Sequence, residues 1–188
     1  LEKTFKTKDY WEARYGRGGT SGEGSYGNSS IHKANIINRL IKQYQIKTIN
    51  DLGHGDGNNI NLLRGMDNYF GYDVSKTARS ICTLKFKEQP SYTFLQRVSQ
   101  FKKRDMAMSL DVLYHLVEDK LYHNYLNRLF SLGQYVLIYS TNKDSIGNPH
   151  CKSREFTTHI EKTYKDFNLI ETIDGYSSEI KFYLYRKN

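Results

Sequence analysis

Apolar residues recur along this chain at two alternating periods. Ile31, Ala34, Ile37 and Ile41 return every three or four positions across residues 30–44, the stripe of an amphipathic helix, with Ser29 or Ser30 placed to cap it. Short apolar runs at 47–52, 68–73, 91–96, 105–112 and 134–140 read as strands. Between them the pattern predicts helices over 58–64, 75–86 with Ser75 as cap, 118–132 and 154–164. The 118–132 helix starts on acidic residues, which suits the helix dipole, and Leu121, Tyr125, Leu129 and Leu132 line one face of it. A short helix is expected at 9–15. The last two strands, 167–173 and 180–186, are separated by a hairpin-length link with no helix in it. Strands alternating with helices imply an α/β fold, a mostly parallel seven-stranded sheet covered by helices on both faces. The terminal hairpin makes its last strand antiparallel.

Composition adds two things to this picture. Six of the 14 glycines fall between Gly16 and Gly27. Glycine loses the most backbone entropy on ordering, so that segment is expected to be mobile unless a ligand fixes it. The chain thus divides into an N-terminal helix with a glycine-rich lid, residues 1–29, and one α/β domain, residues 30–188. The formal net charge is +8. Such a charge fits a solvated basic surface, a small anionic ligand or a polyanion such as RNA, and the dispersal of the basic residues favours the first two.

Exclusions are modest. Cys82 and Cys151 are too few for a disulfide framework and no metal-ligand spacing appears, so no metal is expected and a reducing, cytoplasmic setting fits best. The longest apolar runs, such as 135–139, are strand-sized, and no membrane span is expected. The charged start lacks the apolar stretch of a secretory leader; because the first residue is Leu1, the native start is left open.

In open α/β sheets, ligands bind beyond the carboxyl ends of the strands, and three segments place chemistry there. After the first strand, Asp51, Gly53, His54, Gly55, Asp56 and Gly57 form an acidic strand end with a tight glycine loop. A carboxylate at that point suits a ligand bearing an ammonium group and would repel a pyrophosphate. Asp73 ends the second strand 22 residues after Asp51. There it is positioned to accept hydrogen bonds from both hydroxyls of a ribose, or to cap a helix start. Residues 109–119 pass from a buried strand to a helix start, with Asp111 at the tip and His115 four residues on.

These stretches resemble the class I S-adenosylmethionine-dependent methyltransferases, which carry an acidic strand end with G-x-G, a second-strand acid and a fourth-strand D-V-L-x-H-L segment in this order. The likeness is closer to a small bacterial and viral subgroup opening on Y-W-x-x-R-Y-x-x-G-G-x-S-G-x-G-S and bearing S-L-D-V-x-Y-H-L-x-E-D. Residues 10–25 and 109–119 match those two motifs. The resemblance implies a Rossmann-like fold, S-adenosyl-L-methionine as cofactor and S-adenosyl-L-homocysteine as its product.

Cofactor contacts are implied for Tyr10, Trp11, Arg14, Asp51, Gly53, His54, Gly55 and Asp56. They are also implied for Asp73, Val74, Gln96, Leu110 and Asp111. Acceptor contacts are implied for Gly19, Thr20, Ser21, Tyr114, His115 and Arg154. His115 is the candidate general base, and Asp111 either orients it or contacts the cofactor. Two departures stand out. His54 occupies a position that is often Cys in the family, and residues 96–99 hold no acid for the adenine amino group, leaving Gln96 to accept that hydrogen bond. The acceptor implied is a small molecule, a sugar hydroxyl, including one on a nucleotide-linked sugar of surface-glycan synthesis. RNA is the alternative, with some of the 16 tyrosines stacking bases. A non-catalytic interaction module that keeps the fold is a third reading, and the edge strands leave room for a homodimer.

Overall fold

A computed structural model describes residues 5–188. Residues 1–4, on which the expectation about a leader partly rests, lie outside the described residues. α1 (Thr7–Gly16) precedes α2 (Gly27–Gln43), β1 (Thr48–Leu52), β2 (Asn68–Tyr72), α3 (Lys76–Lys85), β3 (Tyr92–Phe94) and β4 (Arg104–Leu110). Then come α4 (Asp119–Ser131), β5 (Gly133–Ser140), a small ribbon of β6 (Ser145–Ile146) and β7 (Lys152–Ser153), α5 (Thr157–Thr163), β8 (Phe167–Asp174) and β9 (Lys181–Lys187). The main sheet has seven strands in the order β3-β2-β1-β4-β5-β9-β8. β1 to β5 pair in parallel, and β9 inserts antiparallel between β5 and β8.

Period-two alternation sends neighbouring residues to opposite faces. Met106 and Met108 pack with Ile37, Leu40 and Ile41 of α2, whereas Ala107 packs with Leu126, Leu129 and Phe130 of α4. Two apolar layers therefore sandwich the sheet, which is why β4 and β5 read as nearly continuous apolar runs.

The differences from the sequence pattern have local causes. Residues 58–64 make only one turn of 3-10 helix, at Ile60–Leu62. The backbone N–H of Asn58 donates to Asp56 Oδ1 and the Asn58 amide donates to the carbonyl of Ser25, local bonds that compete with a helix. α2 starts at Gly27, and Ser30 donates from its hydroxyl to the carbonyl of Gly27 within the first turn instead of capping. The buried face of α4 is Tyr122, Leu126, Leu129 and Phe130, about one position round from the predicted stripe. Leu121 and Tyr125 are left half-buried beside the strand ends.

Candidate active site at the strand ends

The carboxyl ends of β1, β2 and β4 border one cavity of about 470 Å³. Asp51, Gly53, His54, Gly55, Asp73, Val74, Leu110, Asp111 and His115 line it from the sheet side, and Trp11, Tyr15 and Ser21 from the N-terminal segment.

Two glycines make the β1 loop fit. Gly53 has φ +105°, and a Cβ there would lie 2.5 Å from Val112 Cγ2. Gly55 has φ +60°, and its Cβ would lie 2.2 Å from Ser21 Oγ. Any other residue would be strained and would clash. Asp73 fixes this turn, accepting from the backbone N–H of Gly55 at 3.0 Å and of Ser75 at 2.8 Å. Each carboxylate oxygen has further acceptor capacity. Ser75 caps α3 through Ala78 N–H, as its sequence position predicts.

Asp51 is fully buried, and burial pushes its carboxyl up to about 7 despite the 2.6 Å hydrogen bond donated by Tyr69. Its Oδ1 is buried with no partner, and so are Nε2 of His54, Oδ1 of Asn59 and Nε of Arg128. All four residues line the cavity. Unpaired polar atoms around a cavity are costly unless a polar ligand or water satisfies them. His54 is otherwise held at Nδ1 by the carbonyl of Gly55.

The glycine-rich segment, expected to be mobile unless a ligand fixes it, packs on the β1 loop. Ser21 N–H donates to Asp56 Oδ2 at 2.8 Å, Asp56 N–H donates to Ser21 Oγ at 2.9 Å, and the Tyr26 hydroxyl donates to the same carboxylate. The Asp56 carboxylate is thus engaged by the glycine-rich segment. Arg14 spends its guanidinium similarly, donating from Nε to the carbonyl of Thr20 at 2.6 Å and from Nη1 to the Tyr10 hydroxyl. Tyr10 stacks on His150 at 4.6 Å. Tyr10, Arg14, Gly19 and Thr20 therefore shape the wall from behind and do not line it.

At the β4 tip, Asp111 adopts φ +59°. Its Oδ2 pairs with Lys33 Nζ at 2.6 Å and its Oδ1 accepts from the Tyr114 hydroxyl at 2.9 Å. His115 is oriented by other groups. Its Nδ1 donates to the carbonyl of His150 at 3.1 Å, and Trp11 packs against it in a T-shaped contact with centroids 4.9 Å apart. Because a carbonyl only accepts, Nδ1 carries the proton and Nε2 holds a lone pair. Burial lowers the pKa of this imidazole, and the His150 carbonyl works against that shift.

Four more residues singled out from the sequence do not line the cavity: Asp56, Tyr114, Gln96 and Arg154. Gln96 is exposed, its backbone N–H bonded to Gln100 Oε1. Arg154 donates to the carbonyls of Leu116 and Val117, pairs with Asp119 and lies over the Tyr122 ring. Conversely, Lys33 was missed. It sits one turn before Ile37 and two before Ile41, on the apolar stripe of α2, and that placement is the signal that it is buried. Val98, Ser99, Leu121, Asn124 and Arg128 also line the cavity without having been anticipated. Among the described residues no group of three His, Cys, Asp or Glu could hold a metal, and no helix is long and apolar enough to cross a membrane.

No family model matches this chain, and no curated protein does. Solved structures do. Magnesium protoporphyrin IX methyltransferase from Synechocystis PCC 6803 with bound S-adenosylhomocysteine superposes at TM-score 0.72, with 16% identity over 96% of this chain and 98% of that one. The N-methyltransferase NodS from Bradyrhizobium japonicum WM9, also with S-adenosylhomocysteine, gives 0.72 and 11% over 97% and 99%. A provisionally assigned RNA methyltransferase from Pyrococcus horikoshii gives 0.65 and 16% over 98% and 90%. At such identities the likeness is one of architecture: this chain has the Rossmann-like fold of the S-adenosylmethionine-dependent methyltransferases.

Proposed function

We propose that this chain is an S-adenosylmethionine-dependent methyltransferase that methylates a sugar hydroxyl, with nucleotide-linked sugars as the leading acceptors. The observation that carries the reading is that one cavity joins the unpartnered carboxylate oxygen of Asp51, the strand-end carboxylate of Asp73 and the imidazole of His115. These groups fit the cofactor. Asp51 would hold its amino group, Asp73 its ribose hydroxyls, and the Gly53 and Gly55 backbone lets it approach the loop. Trp11, Val74 and Leu110 supply apolar walls. When bound, the cofactor supplies an activated methyl group on a sulfonium.

The chain's own work is then to position and to move a proton. Fixing acceptor and methyl donor together is worth roughly 7–11 kcal/mol. His115 takes the hydroxyl proton at Nε2, while the His150 carbonyl keeps the Nδ1 proton in place. Trp11, which lines the cavity beside the imidazole, offers the kind of aromatic surface on which a sugar ring packs, and Tyr114 packs on the imidazole without lining the cavity. Asp111 holds Lys33 and Tyr114 in place and so shapes the acceptor end.

Calorimetric titration with S-adenosylmethionine and S-adenosylhomocysteine tests this, with Asp73→Ala as control. Micromolar binding lost in the control is the expected result, and nucleotide sugars and then RNA follow as acceptors. A matching thermal melt of the control is needed, because Asp73 also holds the backbone of Gly55 and Ser75. Absence of binding to either compound would leave the fold as a non-catalytic interaction module.

A further inference from the structure

The link between β3 and β4 is only nine residues, 95–103, and forms a single 3-10 turn at Val98–Gln100. A crossover to a parallel strand is usually covered by a full helix. With none here, one side of α4 faces the cavity: Leu121, Asn124, Tyr125 and Arg128 line it together with Val98 and Ser99. Arg128 closes the far end by donating from Nη2 to the carbonyl of Val98 at 2.7 Å, and its Nε is buried without a partner. Tyr125 anchors the inner wall through its hydroxyl, 2.7 Å from Ser109 Oγ. The rim is open, with Val98 39% exposed. No carboxylate stands here; the cavity's acids are Asp51, Asp73 and Asp111, at the ends of β1, β2 and β4.

This inference rests on the cofactor reading above. With the ribose at Asp73 and the methyl directed to His115 at the β4 tip, the base must run the other way, past Val74 towards the 95–103 link. We propose that the cleft between that link and α4 receives the amino edge of the purine, read by the amide of Asn124 and the hydroxyl of Ser99 in place of an acid. Because the rim is open at Val98, a substituent on the exocyclic nitrogen would point towards solvent. An amide offers an acceptor for the amino hydrogens and a donor for the adjacent ring nitrogen, the pairing by which Asn reads adenine elsewhere.

The test is calorimetric binding of S-adenosylhomocysteine and of its N6-benzyl derivative to the wild-type chain and to Asn124→Ala. The wild type is expected to bind the benzyl compound within about tenfold of the parent. Asn124→Ala is expected to weaken the parent by about 3- to 10-fold, the size of one hydrogen bond. Its melting temperature should be unchanged, because Asn124 is exposed. If the parent binds but the benzyl compound is weaker by more than about tenfold, the open cleft is overturned while the cofactor reading survives. An unaltered affinity in Asn124→Ala overturns the role of that amide. Failure of the parent itself to bind would overturn both readings together.

Discussion

A neutral imidazole at position 115 depends on its neighbours as much as on its own chemistry. Burial lowers its pKa below the ordinary 6.5, because the charged form would have to leave water. The His150 carbonyl, at 3.1 Å, selects the tautomer with Nε2 unprotonated. In its proposed role as general base it is ready at pH 7, and such a base is worth about 10²–10⁴ in rate. His115→Ala should therefore bind S-adenosylhomocysteine as the wild type does and lose turnover by that factor. In the wild type, activity should fall as pH drops through a midpoint below 6.5, where the imidazole takes a proton. Rates measured from pH 5 to pH 8 check both points: the same acid limb in His115→Ala would remove His115 as its origin.

At the scale of elements, the proposed lid depends on how α1 is anchored. Glu12 of α1 accepts from Ser75 Oγ at 2.7 Å, from Thr77 Oγ1 at 2.7 Å and from Thr77 N–H at 3.2 Å, at the amino end of α3. The Ser75 and Thr77 bonds hold its carboxyl down to about 2. Because the folded pKa is depressed, this anchor is fully present above about 4.5, the ordinary Glu range, and weakens as pH falls towards 2. Glu12→Ala should cost about 0.5–2 kcal/mol, like the loss of a helix cap. It should also speed proteolysis within residues 16–27 several-fold at neutral pH. An unchanged cleavage rate would mean that the Asp56 bonds alone hold the lid.

The same scale explains what could be read beforehand. All seven strands and the antiparallel end were legible, because burial on two faces writes continuous apolar runs and the hairpin link is short. The 58–64 segment was not, since Asn58 and Asp56 bond across to the lid and locally, which no periodicity records. Asp51 and Asp73 were legible because each sits at a strand end, and His115 because it follows closely on the end of β4. The partners that tune them, Tyr69 and the His150 carbonyl, come from distant segments. Gln96 was placed at the site by the family resemblance and Arg154 by its position after the fifth strand, but Gln100 and Asp119 engage them elsewhere.

For the molecule as a whole, the formal charge of +8 asks whether the acceptor is a polyanion. The ribbon beside His115 argues otherwise. Lys143 pairs with Glu179, and Lys152 and Arg154 share the single carboxylate of Asp119, so these three cations face two carboxylates and leave one net positive charge. Lys33 is buried against Asp111 and offers nothing to a phosphate chain. On the proposed reading the charge acts as a diffuse field that draws in a small anionic acceptor without forming a track for a long one. The two cases differ sharply in salt. RNA held through about five phosphates would release its condensed counterions and lose roughly a hundredfold in affinity from about 50 to about 200 mM salt. A nucleotide sugar has no such sheath, and screening alone should weaken it by less than about tenfold. Acceptor binding measured across that range, with the cofactor product saturating, separates them. A steep slope would make RNA the substrate and would require basic residues away from this ribbon to carry it.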